Sequence, residues 1–320
     1  MKKNFNALLK ALPNYGGIML VNGQECSYSY LELSKPTGKY IARIVIKCVN
    51  IFMAKHYFRF IGNSCSPGLV MSEIIEQNGI QQFQTSGKGC GLIVCNVLGN
   101  NPVKDGVVIP ADPFMIVNLD PAWQSFNDYK AAMTSKYRIR TNKVYELSNQ
   151  ITFKKLNDDG LEKWIPACAV LLFETLKHKT ITIGSDLALV LRTYHQQLGD
   201  NYQINGYFKG DQLIGFISFI RDGDQMYAIH LGYNLSKGTK IHLYQRMMYD
   251  LIGICIEKEV KSLNLGRTAP EIKSTMGAIP IENSFVFFSR SKSFKWLIQY
   301  YANKIHKPLQ YTLRHPFKTS

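Results

Sequence analysis

The sequence predicts an α+β fold, a mixed and mostly antiparallel sheet flanked by helices, and two stretches carry that prediction. Between Ile204 and Leu231, three runs rich in β-branched and aromatic residues are joined by Lys209-Gly210-Asp211-Gln212 and by Asp222-Gly223-Asp224. Links this short force an antiparallel meander. From Thr239 to Val260 the apolar residues Ile241, Tyr244, Met248, Leu251 and Cys255 recur at alternating steps of three and four, which puts them on one helical face. A helix of that length crosses back over a sheet. Leu263-Asn264-Leu265 is therefore expected as a strand beside the third meander strand, with Ser284 to Phe288 as a further strand after it.

The elements before the meander follow in order. Ile18 to Val21 and Cys26 to Tyr28 flank Asn22-Gly23, a hairpin signal. Tyr40 to Val49 and Phe52 to Phe60 are apolar runs that suit strands or a buried helix equally. Val70 to Phe83 is expected as a helix. Gly87-Lys88-Gly89-Cys90-Gly91 precedes a strand-like run from Leu92 to Leu98, whereas a phosphate-binding loop follows a strand and opens a helix, so a flexible turn is expected. Phe114 to Leu119 reads as a strand and Trp123 to Ser148 as a helix dense in aromatic and basic residues. Within it Arg138 and Arg140 straddle Ile139, so they do not share one face. Phe153 to Leu156 reads as a strand. Leu161 to Lys177 reads as a helix in which Pro166 is a kink or the first turn. Ser185 to Leu198 is a helix with a cap at Ser185 and Gly199 past its end. Phe294 to His306, with Trp296, Leu297, Tyr300 and Tyr301, reads as a closing helix that covers the sheet. Residues 1–150 are expected to form an N-terminal α/β domain and 151–320 a second, functional domain.

The chain has 320 residues, of which 46% are hydrophobic, and a formal net charge of +15. That is enough apolar material for one large core or two ordinary ones, and the charge attracts polyanions without naming one. Seven scattered cysteines show no paired or zinc-like spacing, so no metal site is expected. Arg43, Lys47, Lys55 and Arg59 interrupt the most apolar region. A cytoplasmic protein with no stable membrane insertion is expected.

Two cationic features mark a candidate cleft. Lys237-Gly238-Thr239-Lys240 is expected to open the long helix, where free N–H groups and the helix dipole favour an anion. In Asn264-Leu265-Gly266-Arg267-Thr268-Ala269-Pro270-Glu271-Ile272-Lys273, Gly266 permits a tight turn and Arg267 beside it can clasp a carboxylate or phosphate, with Lys273 as a second cation.

The Lys209 to Tyr227 hairpin, the long helix after it, and Leu265-Gly266-Arg267-Thr268 with Lys273 and Gly277 together resemble the core of GNAT-type N-acyltransferases as found in FemAB-like peptidoglycan-biosynthesis proteins. Ser135 to Arg140 is similar to a segment of the same proteins. The resemblance covers the C-terminal two thirds of the chain. It implies a GNAT-like acyltransferase fold, admits a tandem arrangement with a degenerate first copy, and implies transfer of an acyl or aminoacyl group to an amine. The co-substrate would be acyl-CoA or aminoacyl-tRNA, with no permanently bound cofactor. The acceptor would be an amine-bearing small molecule, peptide or cell-wall precursor, and tRNA a partner. The glycine-rich pyrophosphate loop of acetyl-CoA enzymes is missing, since Asn234-Leu235-Ser236-Lys237-Gly238 stands in its place with one glycine. Amine attack needs a base and stabilisation of the oxyanion. His230 and Glu271 are the candidate bases, and Tyr233 or Tyr244 can protonate the leaving group. Lys237, Gly238, Thr239, Lys240, Gly266 and Arg267 are expected to bind the donor, and Arg138, Tyr244, Asn264, Thr268 and Lys273 the substrate. A competing expectation is a non-catalytic basic protein that binds nucleic acid or anionic lipid.

Overall fold

The computed structural model describes residues 2–13, 15–21, 24–30, 33–34, 58–61, 83–84, 91–98, 106–157, 160–177, 182–183, 186–289, 291–300, 302–303 and 310–318. The expected elements at Tyr40–Val49, in most of Phe52–Phe60 and Val70–Phe83, and the turn at Gly87–Cys90 lie outside them. The described helices are α1 (Lys2–Ala11), α2 (Phe126–Ala132), α3 (Ser135–Leu147), α4 (Ile165–Leu176), α5 (Leu187–Leu198), α6 (Leu235–Gly238), α7 (Leu243–Glu257), α8 (Pro270–Ser274) and α9 (Lys292–Tyr300). The strands are β1 (Tyr15–Val21), β2 (Gln24–Tyr30), β3 (Leu33–Ser34), β4 (Phe58–Ile61), β5 (Phe83–Gln84), β6 (Gly91–Leu98), β7 (Val107–Asn118), β8 (Ile151–Lys155), β9 (Thr182–Ile183), β10 (Tyr202–Lys209), β11 (Gln212–Asp222), β12 (Gln225–Tyr233), β13 (Ser262–Asn264) and β14 (Ile279–Ser289).

The chain divides into two compact units, each gathered from three stretches. The first is Met1–Asp112 with Lys177–Gln197 and Ile281–Leu309. The second is Pro113–Leu176 with Leu198–Pro280 and Gln310–Ser320. The boundary expected at residue 150 falls inside the second unit, between α3 and β8.

The two units repeat one strand pattern. In the first, the order β5-β1-β2-β4-β6-β14 is antiparallel except for β4 and β6, which are parallel. In the second, β8-β10-β11-β12-β13-β7 is antiparallel except for β12 and β13, again the fourth and fifth strands. In each, the strand beyond the parallel pair comes from a distant part of the sequence. The architecture is α+β and tandem. The strand at Ser284–Phe288 exists, but β14 pairs with β6, and the neighbour of β13 is β7. Nothing periodic in a strand says which distant strand it will join.

In the second unit the meander forms as its turns dictate, with Gly210 and Gly223 at φ 58° and 57°. The expected helix over Trp123–Ser148 is instead two, because Met133 leaves the helix to bridge Phe317, and Thr134, whose N–H bonds the Pro316 carbonyl, starts α3 from extended backbone. Pro166 lies in the first turn of α4 and does not kink it. Asp186, one residue past the expected cap, accepts the amides of Ala188 and Leu189 at the start of α5.

Helix α7 buries Leu243, Met247, Met248, Leu251, Ile252 and Cys255 against the sheet. Among these apolar contacts lies a polar cluster. Arg246 pairs with Asp250 one turn on at 2.9 Å, Tyr145 donates to Asp250 at 2.9 Å, and Arg246 donates to Ser148 at 3.1 Å. The Arg246 guanidinium stacks 4.2 Å over the Tyr145 ring, and burial brings the Tyr207 hydroxyl beside the same carboxylate without a hydrogen bond of ordinary geometry. Burial raises the Asp250 pKa, against the pull of Arg246 and the two tyrosines. The folded state therefore holds this proton more tightly than the unfolded chain, so the group favours folding at low pH and that contribution is lost as pH rises through the raised pKa. Relative to Asp250→Asn, the wild type is expected to lose thermal stability as pH climbs from about 4, which melting curves over a pH series will measure.

Candidate active site

Strands β12 and β13 run side by side for three residue pairs, Gln225 with Ser262, Met226 with Leu263 and Tyr227 with Asn264. Then they part. β12 continues to Tyr233 along β11, past a register shift between Ile217 and Phe219. The chain after β13 turns to β7, where Leu265 N–H bonds the Met115 carbonyl and Met115 N–H the Gly266 carbonyl. Parting at the carboxyl ends of parallel strands opens a wedge, and a bulge beside it re-aims the side chains of β12.

The β13 side of the wedge is cationic. Asn264, buried, accepts the Gly266 amide at 2.8 Å and fixes the turn. Gly266 has φ 78°, a conformation that favours glycine. Arg267 is half-buried, its guanidinium 6.0 Å over the Phe114 ring. Lys273 on α8 is 2% exposed, and its Nζ lies 3.9 Å from where a Cβ on Gly266 would be. Thr268 is exposed. Asn264, Gly266, Arg267 and Lys273 are thus held by one loop, as their spacing predicted.

The β12 side differs from expectation. The long helix starts at Leu243, not Thr239, because His242 takes a left-handed conformation at φ 53° and breaks the run. Lys237, Gly238, Thr239 and Lys240 belong instead to the short α6 and a single 3-10 turn. Here the amides are already engaged. Asn234 Oδ1 accepts from Lys237 N–H at 2.9 Å, the Asn234 carbonyl from Gly238 N–H at 2.7 Å, and the Glu174 carboxylate of α4 from Leu235 N–H at 3.0 Å. Lys237 Nζ reaches Gln212 at 2.6 Å. Tyr233 and Tyr244 bring their rings to 6.4 Å, and burial raises both hydroxyl pKa values, with a Thr239 hydrogen bond moderating that of Tyr233.

Helix α4 reaches this point because Gly232 has no side chain. A Cβ there would lie 2.6 Å from the Leu171 carbonyl carbon, so the helix backbone rests on the strand. Thr175 then accepts the Tyr233 amide at 3.2 Å. Glu174, Thr175 and the Gly232 seat carry no sequence signal, since each acts through a tertiary contact.

Three predicted residues lie elsewhere. His230 is buried, its Nδ1 3.2 Å from Ser218 Oγ and 3.3 Å from the Tyr202 hydroxyl, the latter close to Cys168 of α4, whose thiol burial pushes up to about 12. Glu271 is paired with Arg314 at 2.6 Å on the surface. Arg138 donates to the Met133 carbonyl at the junction of α2 and α3. Among the described residues no three His, Cys, Asp or Glu side chains gather as for a metal, and no helix is long and apolar enough to cross a membrane.

The sequence matches no family model and no curated protein. Among solved structures the chain is similar to the C-terminal (DUF2156) domain of a candidate lysylphosphatidylglycerol synthetase from Agrobacterium fabrum, at 7% identity and a TM-score of 0.53, over 92% of this chain and 89% of that one. It is also similar to FemX, at 9% identity and a TM-score of 0.51, over 93% and 98%. The fold is GNAT-like and is shared with FemX. The likeness extends over both units. At these identities it is a likeness of fold.

Proposed function

We propose that the protein is an N-acyltransferase whose donor is an aminoacyl ester carried by tRNA and whose acceptor is an amine. The wedge between β12 and β13, with Arg267 and the buried Lys273 on one side, carries this reading. In the reaction the amine nitrogen bonds to the acyl carbon, the carbon–oxygen bond of the ester breaks, and the amine proton ends on the departing hydroxyl. Arg267 and Lys273 would stabilise the oxyanion or hold an adjacent phosphate, since cations preorganised in a dry site are worth far more there than in water. Tyr233 would hand a proton to the leaving oxygen. His230, held by two hydroxyls, and Glu271, paired with Arg314, serve the fold in this reading.

The choice of an ester over acyl-CoA rests on Glu174. A carboxylate occupies the turn where a CoA pyrophosphate would need bare amides, and it repels such a group. Transfer from charged tRNA to an amine panel should be measured beside transfer from acyl-CoAs. Binding of charged tRNA on the order of tens of micromolar or tighter, with turnover, is expected; turnover from acyl-CoA alone would overturn the donor assignment, and turnover from neither would overturn the enzyme. Arg267→Ala is expected to lower kcat/KM by about a hundredfold while the circular dichroism spectrum keeps its folded form. A non-catalytic polyanion binder would instead be indifferent to that change.

A further inference from the structure

Helix α9 in the first unit packs on the sheet as a closing helix, but three of its large apolar residues face away from it. Ile298, followed two residues past the helix by Ala302, packs on the Val107 and Phe287 core, whereas Trp296, Leu297 and Tyr300 are 69%, 50% and 49% exposed. At 100° per residue these three centre on the side of the helix opposite Ile298. Trp296 and Tyr300, one turn apart, stack at 5.9 Å with their planes 22° apart, which makes one flat outward platform. Three large apolar side chains in the middle of a solvent face are not what a surface helix uses to stay soluble.

The charge along the sequence on either side of the platform has one sign. Lys292 and Lys295 belong to α9, Arg290, Lys304 and Lys307 flank it in sequence, and no Asp or Glu occurs anywhere from Asn283 to Ser320. We infer that α9 docks the protein on an anionic bilayer, lying flat with Trp296, Leu297 and Tyr300 at the boundary of headgroups and acyl chains and the lysines among the lipid phosphates. Trp and Tyr suit that depth because each joins an apolar ring to a polar edge. An apolar face with a lysine at its edge, here Lys292 beside Trp296, is the pattern of helices that lie in the interface, and a helix of nine residues is far too short to span. A second copy would bring an equally basic face against this one. A nucleic acid would meet the lysines but gain nothing from Leu297.

The test is sedimentation of the full chain with vesicles of phosphatidylcholine alone and with vesicles of equal parts phosphatidylcholine and phosphatidylglycerol. Binding to the second and not the first is expected, with a blue shift of tryptophan emission that Trp296→Ser removes. The variant Trp296→Ser/Leu297→Ser/Tyr300→Ser is expected to lose about tenfold or more in partitioning while its circular dichroism is unchanged. Should it misfold, Lys292→Glu/Lys295→Glu serves in its place and is expected to lose a similar factor. Failure of the wild type to sediment, or full retention of binding by the folded variants, overturns the proposal. So does a dimer that the triple variant turns into a monomer, or single-stranded RNA binding that the triple variant abolishes while vesicles are ignored. The proposal is independent of the donor assignment, since a protein with no transferase activity can still show it.

Discussion

Gly232→Ala is expected to cost about 3 kcal/mol of stability or to prevent the second unit from folding, because the added carbon meets helix backbone and not the yielding end of a side chain. Leu171 and Leu172 cannot move aside alone; the whole of α4 must lift from β12. Lifting it separates Thr175 from the Tyr233 amide and Glu174 from the Leu235 amide. Chemical denaturation of the variant will read the cost, and a loss under about 1 kcal/mol would mean that α4 does not rest on the strand.

Asp250→Ala is the second large effect. It leaves the Arg246 guanidinium, with 16% of its side chain exposed, stacked on Tyr145 with no counter-charge. Removing one partner of such a pair costs about 3 kcal/mol, or roughly 6–12 °C in melting temperature for a unit of this size. Replacing both partners, as Arg246→Met/Asp250→Leu, is expected to recover more than half of that loss, since the apolar pair needs no compensation. If Asp250→Ala melts within about 1 °C of the wild type, the cluster behaves as a surface ion pair and contributes little.

Much of the second unit's fold is legible in its residues. The glycine turns at 210 and 223 announce the meander, and the three-and-four spacing through Tyr244, Met248, Leu251 and Cys255 announces α7. The loop from Asn264 to Lys273 is legible as well, because Gly266 and Arg267 speak locally through backbone freedom and charge. The segment Lys237 to Lys240, expected as an anion site, could be read as a helix start, yet nothing near it in sequence tells that His242 interrupts the helix or that Glu174, sixty-odd residues earlier, caps the turn. Helix α9 shows the complementary difficulty: its apolar residues spread over more than half of the circumference, from Trp296 round through Leu297 to Ile298, so periodicity alone assigns Trp296 to the core as readily as to solvent.

The repeated strand pattern has a consequence for how the chain is made. β7 is synthesised long before the β13 it joins, and β6 long before the β14 that completes its sheet. As the chain leaves the ribosome, neither sheet can close until nearly the last strand has emerged. A nascent chain ending near residue 260 would carry an open edge in each unit, with β7 and β6 presenting unpaired backbone to any neighbour. Each unit therefore waits for a strand made long after its partner, and cutting the gene at residue 150 would leave the second unit without β7, however well that cut suits the sequence.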